Sequence, residues 1–411
     1  MVDGRLYAAK RLSKFKASEI RELLKLTEGK DIISFAGGLP DPSIFDKEDL
    51  AEIARNVILE KGDKALQYSP TLGVTSFRQE LLKFTASHGV KVKDTDDVIV
   101  TTGSQEALYI IGRVFVDPGD IVIVEEPTYL AALNVFRQYD ANLIGIPIDN
   151  EGMRIDILEN VLEDLNKKGL KPKLLYSVPT AQNPSGVTMS NDRRKRLLEL
   201  AHEYDFLIVE DDPYSFFLFE EESFDYLKTL DPNGRVMYVC TLSKIMAPGL
   251  RIGWVVADKS IISLLELAKQ AIDLHTATLP QYIAEEALRQ GVVAKTISRA
   301  KVLYAKKRDA MLKALEEEMS DIATWIRPIG GFFTMVFLND KDIDTYDLMY
   351  EAIEEGVAYV PGKSFYVNPE RGKHSMRLNF SYPTIEQIWI GIARLSKVVR
   401  KHLAVKQVER T

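Results

Sequence analysis

Short apolar runs that end in polar or glycine-rich residues recur through the middle of the chain: DVIVTTGSQEAL, IVIVEEPTY, LLYSVPTAQNPSG, FLIVEDDPY and MYVCTLSK. They are nearly continuous in apolar residues rather than alternating, the pattern of strands buried on both faces of a parallel sheet, and helix-like stretches follow them. In open α/β sheets, ligand-binding groups gather just beyond the carboxyl ends of the strands, which is where these polar clusters fall.

Ahead of this region, Ala17 to Leu26 reads as a short helix, and the apolar IISFA then enters a Gly-Gly-Leu-Pro turn at residues 37–40, expected to border a cleft. After about residue 290, helical patterns such as AKKRDAMLKALEEEM alternate with strand-like GGFFTMVFL, EGVAYVPG and HSMRLNFS. The expected fold is α/β: a large domain over 61–290 with a mostly parallel central sheet, and a smaller α/β domain formed by both chain ends. Residues 1–60 supply the amino-terminal segment and part of that domain, and 291–411 the remainder. No repeat, low-complexity segment or Pro/Ser-rich linker interrupts the pattern, so the domains are expected to be tightly joined.

At 411 residues and 46% hydrophobic composition the chain can bury a substantial core. A formal net charge of -7 argues against nucleic-acid or anionic-membrane partners. The densest basic run, Arg193 to Arg196, opens an amphipathic helix containing LLELA and reads as a solvated helix face. A single cysteine, Cys240, excludes an internal disulfide, and five histidines without close ligand spacing give no support to a metal site. The first residues lack a secretory apolar stretch, and no run approaches the ~20 residues of a membrane span. A cytoplasmic location is expected.

Lys244 follows the apolar MYVCTL, where desolvation would lower its pKa and supply neutral amine for imine formation. An isolated lysine after a strand is usually a solvated loop charge, but here Thr241, Ser243 and Arg251 bring two hydroxyls and a cation that suit a phosphate dianion. Gly103, Ser104 and Gln105 lie between VIVTT and a helix starting near Glu106, and a helix amino terminus offers free N–H groups and a favourable dipole to phosphate; a plain helix cap is the alternative. Asp211 ends FLIVED, and a carboxylate there can keep a pyridine nitrogen protonated. Asp212 is its rival, and either can cap the next turn. Tyr214, and Asn183 in QNPSG, can each donate to a phenolic oxygen on the same ring. Arg377 in SMRLNFS carries a planar fork suited to a carboxylate, with a structural ion pair as the alternative.

Together these residues resemble the class I/II, fold type I pyridoxal phosphate aminotransferases from Ile20 to the carboxyl end. SKIMAPGLRIGW is similar to the family's lysine motif, QNPSG to its asparagine-proline-glycine turn, EDDPY to its aspartate-to-tyrosine element and RLNFS to its carboxylate-binding arginine segment. The resemblance implies that Lys244 is the Schiff-base lysine and proton carrier, and that Asp211 partners the pyridine nitrogen. Asn183 and Tyr214 would hold the phenolic oxygen, Tyr129 would stack on the ring, and Ser104, Gln105, Thr241, Ser243 and Arg251, with Gly103 in the same cup, would hold the phosphate. Many relatives have serine where this chain has Thr241. Arg377 and Asn183 would bind the substrate carboxylate, with Gly38 as a further substrate contact.

Tyr68 in LQYSPTLG matches a tyrosine that family dimers send towards the partner's phosphate, implying a homodimer with shared sites; an intrachain packed tyrosine is the alternative. RELLKLTEGKDIISFAGGLPDPSIF and LHTATLPQ are most similar to the subgroup of 2-aminoadipate, prokaryotic kynurenine and multiple-substrate aminotransferases. In that subgroup the amino-terminal helix senses the substrate side chain, which would place Arg21 against a distal carboxylate unless it is simply a solvated helix arginine. The implied reaction moves an amino group between an L-amino acid and a 2-oxo acid, with glutamate and 2-oxoglutarate as partner pair. A racemase or β-lyase on the same cofactor, and an idle ligand-binding relative, are the competing readings.

Overall fold

A computed structural model describes residues 2–9, 12, 31–220 and 223–409 of the chain. The helix expected from Ala17 to Leu26, and Arg21 with it, lies outside the described residues. In chain order the strands are β1 (Ile33–Ser34), β2 (Asp96–Thr101), β3 (Ile121–Glu126), β4 (Asn142–Asp149), β5 (Gly152–Met153), β6 (Pro172–Ser177), β7 (Leu207–Asp211), β8 (Val236–Thr241), β9 (Gly253–Asp258), β10 (Ala323–Trp325), β11 (Phe333–Leu338), β12 (Val357–Ala358), β13 (Val360–Pro361) and β14 (Ser375–Asn379).

The apolar runs of the central region become β2, β3, β6, β7 and β8, all in one eight-stranded sheet of order β2-β9-β8-β7-β6-β3-β4-β5. Strands β4, β3, β6, β7 and β8 are parallel neighbours, whereas β9 runs antiparallel between β2 and β8. Every residue of β3 and β8 is buried, because both faces of the sheet are covered. Val122, Val124, Tyr176 and Val209 face one apolar cluster, while Ile123, Leu175 and Ile208 face another. Helix Ile155–Lys167 covers the second face with Ile155, Leu158, Leu162 and Leu165, a spacing that puts them on one side of a helix. Strand β4 went unread in the sequence. It lies next to the two-residue edge strand β5, and in NLIGIPID only Ile146 is fully enclosed, so no continuous apolar run marks it.

The carboxyl-terminal part forms an antiparallel sheet of order β10-β11-β14-β13. Its core joins Met376 and Leu378 to Leu348, Ile392 and Leu395, and takes in Phe35 and Ala36 from the amino-terminal side. Helix Lys47–Ala65, by contrast, packs Ile53 and Val57 into the cluster of the large sheet. One helix, Val292–Met319, ties the two cores together: Ala300 and Tyr304 enter the first, and Met311, Leu315 and Met319 the second.

The basic run departs from the solvated face expected of it. Arg194 is fully buried, donating from Nε to Met189 O at 2.9 Å and from Nη2 to Pro179 O at 2.8 Å and Thr180 Oγ1 at 2.9 Å. It lies on the same helix face as buried Leu197 and Ala201, and loop carbonyls that no strand satisfies accept its protons. Arg193 and Arg196 pair with Asp149 and Glu159 nearer the surface. Among the described residues, no helix is long and apolar enough to cross a membrane.

Candidate active site

The reversal of β9 gathers the site. Thr241, which ends β8, and Thr101, which ends β2, both lie opposite Gly253, the first residue of β9. The loops leaving these strands therefore converge over one residue, and only glycine leaves room: a Cβ on Gly253 would stand 2.6 Å from Gly103 C and Ser104 N. Gly103 has φ 75°, and a Cβ there would run into the Arg251 guanidinium. Arg251, itself at φ 55°, reaches towards Ser243 Oγ at 3.4 Å and Thr102 O at 3.3 Å. Helix Ser104–Phe115 opens beside this guanidinium, so free backbone N–H groups and a cation face the same space, a setting for an anion. The Thr241 hydroxyl lies 2.9 Å from both Ile252 O and Ser243 Oγ and accepts from Ser243 N at 3.1 Å, which braces the loop carrying Lys244.

Lys244 is half-buried, and its Nζ donates to Gly38 O at 2.7 Å. Burial, helped by Arg377 and Arg251 and opposed by Asp211, lowers its pKa to about 8. The two aspartates that compete in the sequence point to opposite sides: Asp211 ends β7, and Asp212 follows it in backbone still bonded to Val239 O of β8, where successive side chains alternate. Asp212 is occupied by Ser215 N at 3.2 Å, Ser215 Oγ at 2.7 Å and Tyr238 OH at 2.7 Å. Asp211 accepts the Tyr176 hydroxyl on Oδ2 at 2.8 Å, and its buried Oδ1 has no partner among the described residues. Burial pushes the Asp211 carboxyl up to about 7, Tyr176 holds it back, Asp212 adds to the rise and Lys244 opposes it.

Asn183 sits in a loop clamped from behind, where Gln182 donates to Glu125 Oε2 at 2.8 Å and accepts from Ser185 Oγ at 2.5 Å. Its own Oδ1 accepts from Arg377 Nη1 at 2.9 Å. Arg377, at the centre of β14, is buried and donates from Nη2 to Ala36 O at 2.6 Å. Its guanidinium lies 4.2 Å from the Phe333 ring centroid and 5.1 Å from that of Phe365. Nε has no partner among the described residues, and burial lowers the pKa to about 10. Tyr214 is buried, its ring edge-on to Phe333 at 5.6 Å. Burial, then Tyr129, raises its phenol pKa, while Arg377 and Asn183 pull the other way.

A cavity of about 320 Å³ brings together Gly38, Ser104, Gln105, Tyr129, Asn183, Asp211, Tyr214, Thr241, Ser243, Lys244, Arg251 and Arg377. Gly103 lies beneath the Arg251 guanidinium rather than on the wall. Tyr68 stands apart, 78% exposed, with its ring edge-on to His275 at 5.6 Å. Sequence reasoning missed Phe333, under Arg377, and Tyr176, behind Asp211. Both read there as ordinary strand residues, and neither GGFF nor LLYS holds a local signal of more.

The family model for aminotransferases of class I and II matches residues 31–395. The chain is 46% identical over 402 residues to aromatic-amino-acid aminotransferase 1 of Thermococcus litoralis, covering 98% of this chain and 96% of that protein. It is 38% identical over 395 residues to the 2-aminoadipate transaminase of Thermus thermophilus, covering 95% and 96% respectively. Among solved structures, a Pyrococcus horikoshii kynurenine aminotransferase in complex with PMP superposes with a TM-score of 0.94 at 47% identity, covering 98% of each chain. The chain belongs to the class I and II aminotransferases, fold type I enzymes whose cofactor is pyridoxal phosphate.

Proposed function

We propose that this aminotransferase exchanges amino groups between L-amino acids and 2-oxo acids with glutamate and 2-oxoglutarate as one partner pair. Its further donors are 2-aminoadipate and aromatic and branched-chain amino acids. One observation carries the reading of the site: the Lys244 amine, an Asp211 carboxylate with one unpartnered buried oxygen and an Arg377 with an unpartnered Nε line a single cavity. These residues fit the cofactor. A protonated ring nitrogen would supply the donor that Asp211 Oδ1 lacks, and a phosphate suits the helix terminus beside Arg251.

In this reading Ser104, Gln105, Thr241, Ser243 and Arg251 hold the phosphate, over a loop that Gly103 allows. Asn183 and Tyr214 hold the phenolic oxygen, and Tyr129 meets the ring. When bound, pyridoxal phosphate supplies an aldehyde that condenses with an amine and a ring that takes up the electrons left at the substrate Cα. Lys244, with a pKa near 8, has neutral amine available to remove the Cα proton and return it elsewhere. Arg377 and Asn183 bind the substrate carboxylate beside Gly38, which keeps the substrate at the Lys244 end of the cavity.

The breadth of donors is supported by relatives named for aromatic amino acids and for 2-aminoadipate. Arg21, outside the described residues, is proposed to read a distal carboxylate. We also propose a homodimer in which exposed Tyr68 reaches the partner's phosphate site, and a large domain at 61–290 joined to a smaller one from both chain ends, a division supported by the separate apolar cores. A cytoplasmic location is supported by a lone, buried Cys240, which leaves the fold without any internal disulfide to maintain.

Incubation with glutamate and a panel of 2-oxo acids tests the reaction. Stoichiometric 2-oxoglutarate with a new amino acid is expected, and ammonia or racemised glutamate in its place overturns the reading. Lys244→Ala is expected to abolish both turnover and the imine absorption of the bound cofactor. Arg21→Ala is expected to lose dicarboxylic donors selectively, and an unchanged panel would remove Arg21 from the site.

A further inference from the structure

The two oxygens of Asp211 are unequal: Oδ2 accepts from Tyr176 OH at 2.8 Å, while Oδ1 is buried without a partner among the described residues. The sheet register makes this arrangement. Tyr176 on β6 lies opposite Val209 on β7, and Asp211, two residues on, projects from the same face as Val209. Tyr176 is fully buried and its ring packs edge-on to Phe136 at 6.1 Å, so neighbouring side chains, not solvent, aim its hydroxyl.

We propose that Tyr176 is a positioning residue for amino transfer: its hydroxyl keeps Asp211 ionised and turns Oδ1 towards the cofactor ring nitrogen, so that the nitrogen keeps its proton. The inference rests on the role of Asp211 given above. A carboxylate buried this deeply resists ionisation unless a donor satisfies the anion. Asp212, just past the end of β7, works against the charge of Asp211 and Lys244 works for it. Burial, then Asp211, raises the pKa of the Tyr176 phenol, and Tyr129, in the turn after β3, and Glu125, on the other face of β3 beside Ser177, add to the rise. Tyr176 therefore stays a donor throughout the range in which Asp211 titrates. Lys244 cannot take over this task, because its amine is engaged in the reaction itself.

Tyr176→Phe keeps the ring and deletes the donor. Apoenzyme of both forms is titrated with pyridoxal phosphate and with the analogue in which carbon replaces the ring nitrogen. Losing a hydrogen bond to a charged acceptor is expected to weaken pyridoxal phosphate binding by about tenfold, with the analogue changed by less than about twofold. In the holoenzyme kcat is expected to fall more than KM changes, and the acid limb of its pH profile to move up by about one unit. Equal losses for both ligands would reduce Tyr176 to strand packing and overturn the proposal, as would no loss for either. If Tyr176→Phe does not fold, 3-fluorotyrosine placed at 176 is the second variant: a stronger donor of nearly the same size should tighten binding of pyridoxal phosphate relative to the analogue, and an unchanged ratio overturns the proposal. Wild-type protein that takes up no pyridoxal phosphate would overturn the assignment of the site instead.

Discussion

Arg377 is a buried cation whose hydrogen bonds run to neutral oxygens on Asn183 and Ala36, with its guanidinium between two phenylalanine rings. A charge so enclosed is left for an anion to complete, and its planar fork matches a carboxylate. Arg377→Lys retains the charge but loses the fork and the ring contacts, so KM for amino acids should rise by about tenfold or more while the cofactor still binds, as steady-state kinetics and absorbance would show. In the proposed site, Lys244 and Asp211 are expected to set the pH dependence of cofactor uptake. Asp211, raised to about 7, holds a ring nitrogen only as the anion, so affinity should decline as pH falls through that value. Lys244, lowered to about 8, condenses only as the neutral amine, so the rate of imine formation should rise as pH climbs towards 8. Apoenzyme titrated between pH 6 and 9 would show both, and flat affinity across that window would remove Asp211 from the ring nitrogen.

The decisive element is the β8–loop–β9 reversal. Had β9 continued the parallel order, Lys244 and Arg251 would have been separated by the length of a strand; instead the loop returns on the edge where β2 also ends. Gly253→Ala places a methyl against the Gly103 and Ser104 backbone. Backbone cannot yield as a side chain does, so a loss of about 1–3 kcal/mol in unfolding free energy is expected, accompanied by weaker pyridoxal phosphate binding as Ser104 N shifts. Helix Asn191–Glu203 gives a test away from the site. Arg194→Leu leaves the buried Glu210 without its nearest cation at 3.9 Å and takes a donor from each of Met189 O, Pro179 O and Thr180 Oγ1, and should cost about 3 kcal/mol in chemical denaturation. Had Arg194 been the solvated arginine its neighbours suggest, the change would be close to neutral. These elements were legible to different degrees: strands buried on both faces show as apolar runs, whereas the position of one arginine relative to loop carbonyls leaves no trace in a helical pattern.

At the scale of the molecule, two cores meet at the cavity, one supplying Lys244 and Asp211 and the other Arg377, and helix Val292–Met319 runs through both. Tyr68 is 78% exposed and forms no part of its own chain's cavity wall, which leads to a prediction about assembly. If the proposed homodimer shares its sites, mixing Lys244→Ala chains with Tyr68→Ala chains should restore activity above the average of the two parent forms, because one of the two sites in each hybrid is then intact. Activity equal to that average would mean Tyr68 serves no partner. The amino-acid sequence by itself determined the α/β class, the order of the central strands' polar ends and the chemical identity of the Lys244, Asp211, Asn183 and Arg377 motifs, since each is written in contiguous residues. Tertiary structure alone decided that Asp212 is taken up by Ser215 and Tyr238, that Tyr176 stands behind Asp211, and that Arg377 rests on Phe333 with no carboxylate among the described residues to neutralise it. The physical reason is that strand register and chain reversal join residues far apart in sequence, and no local pattern of apolar and polar positions encodes which of them touch.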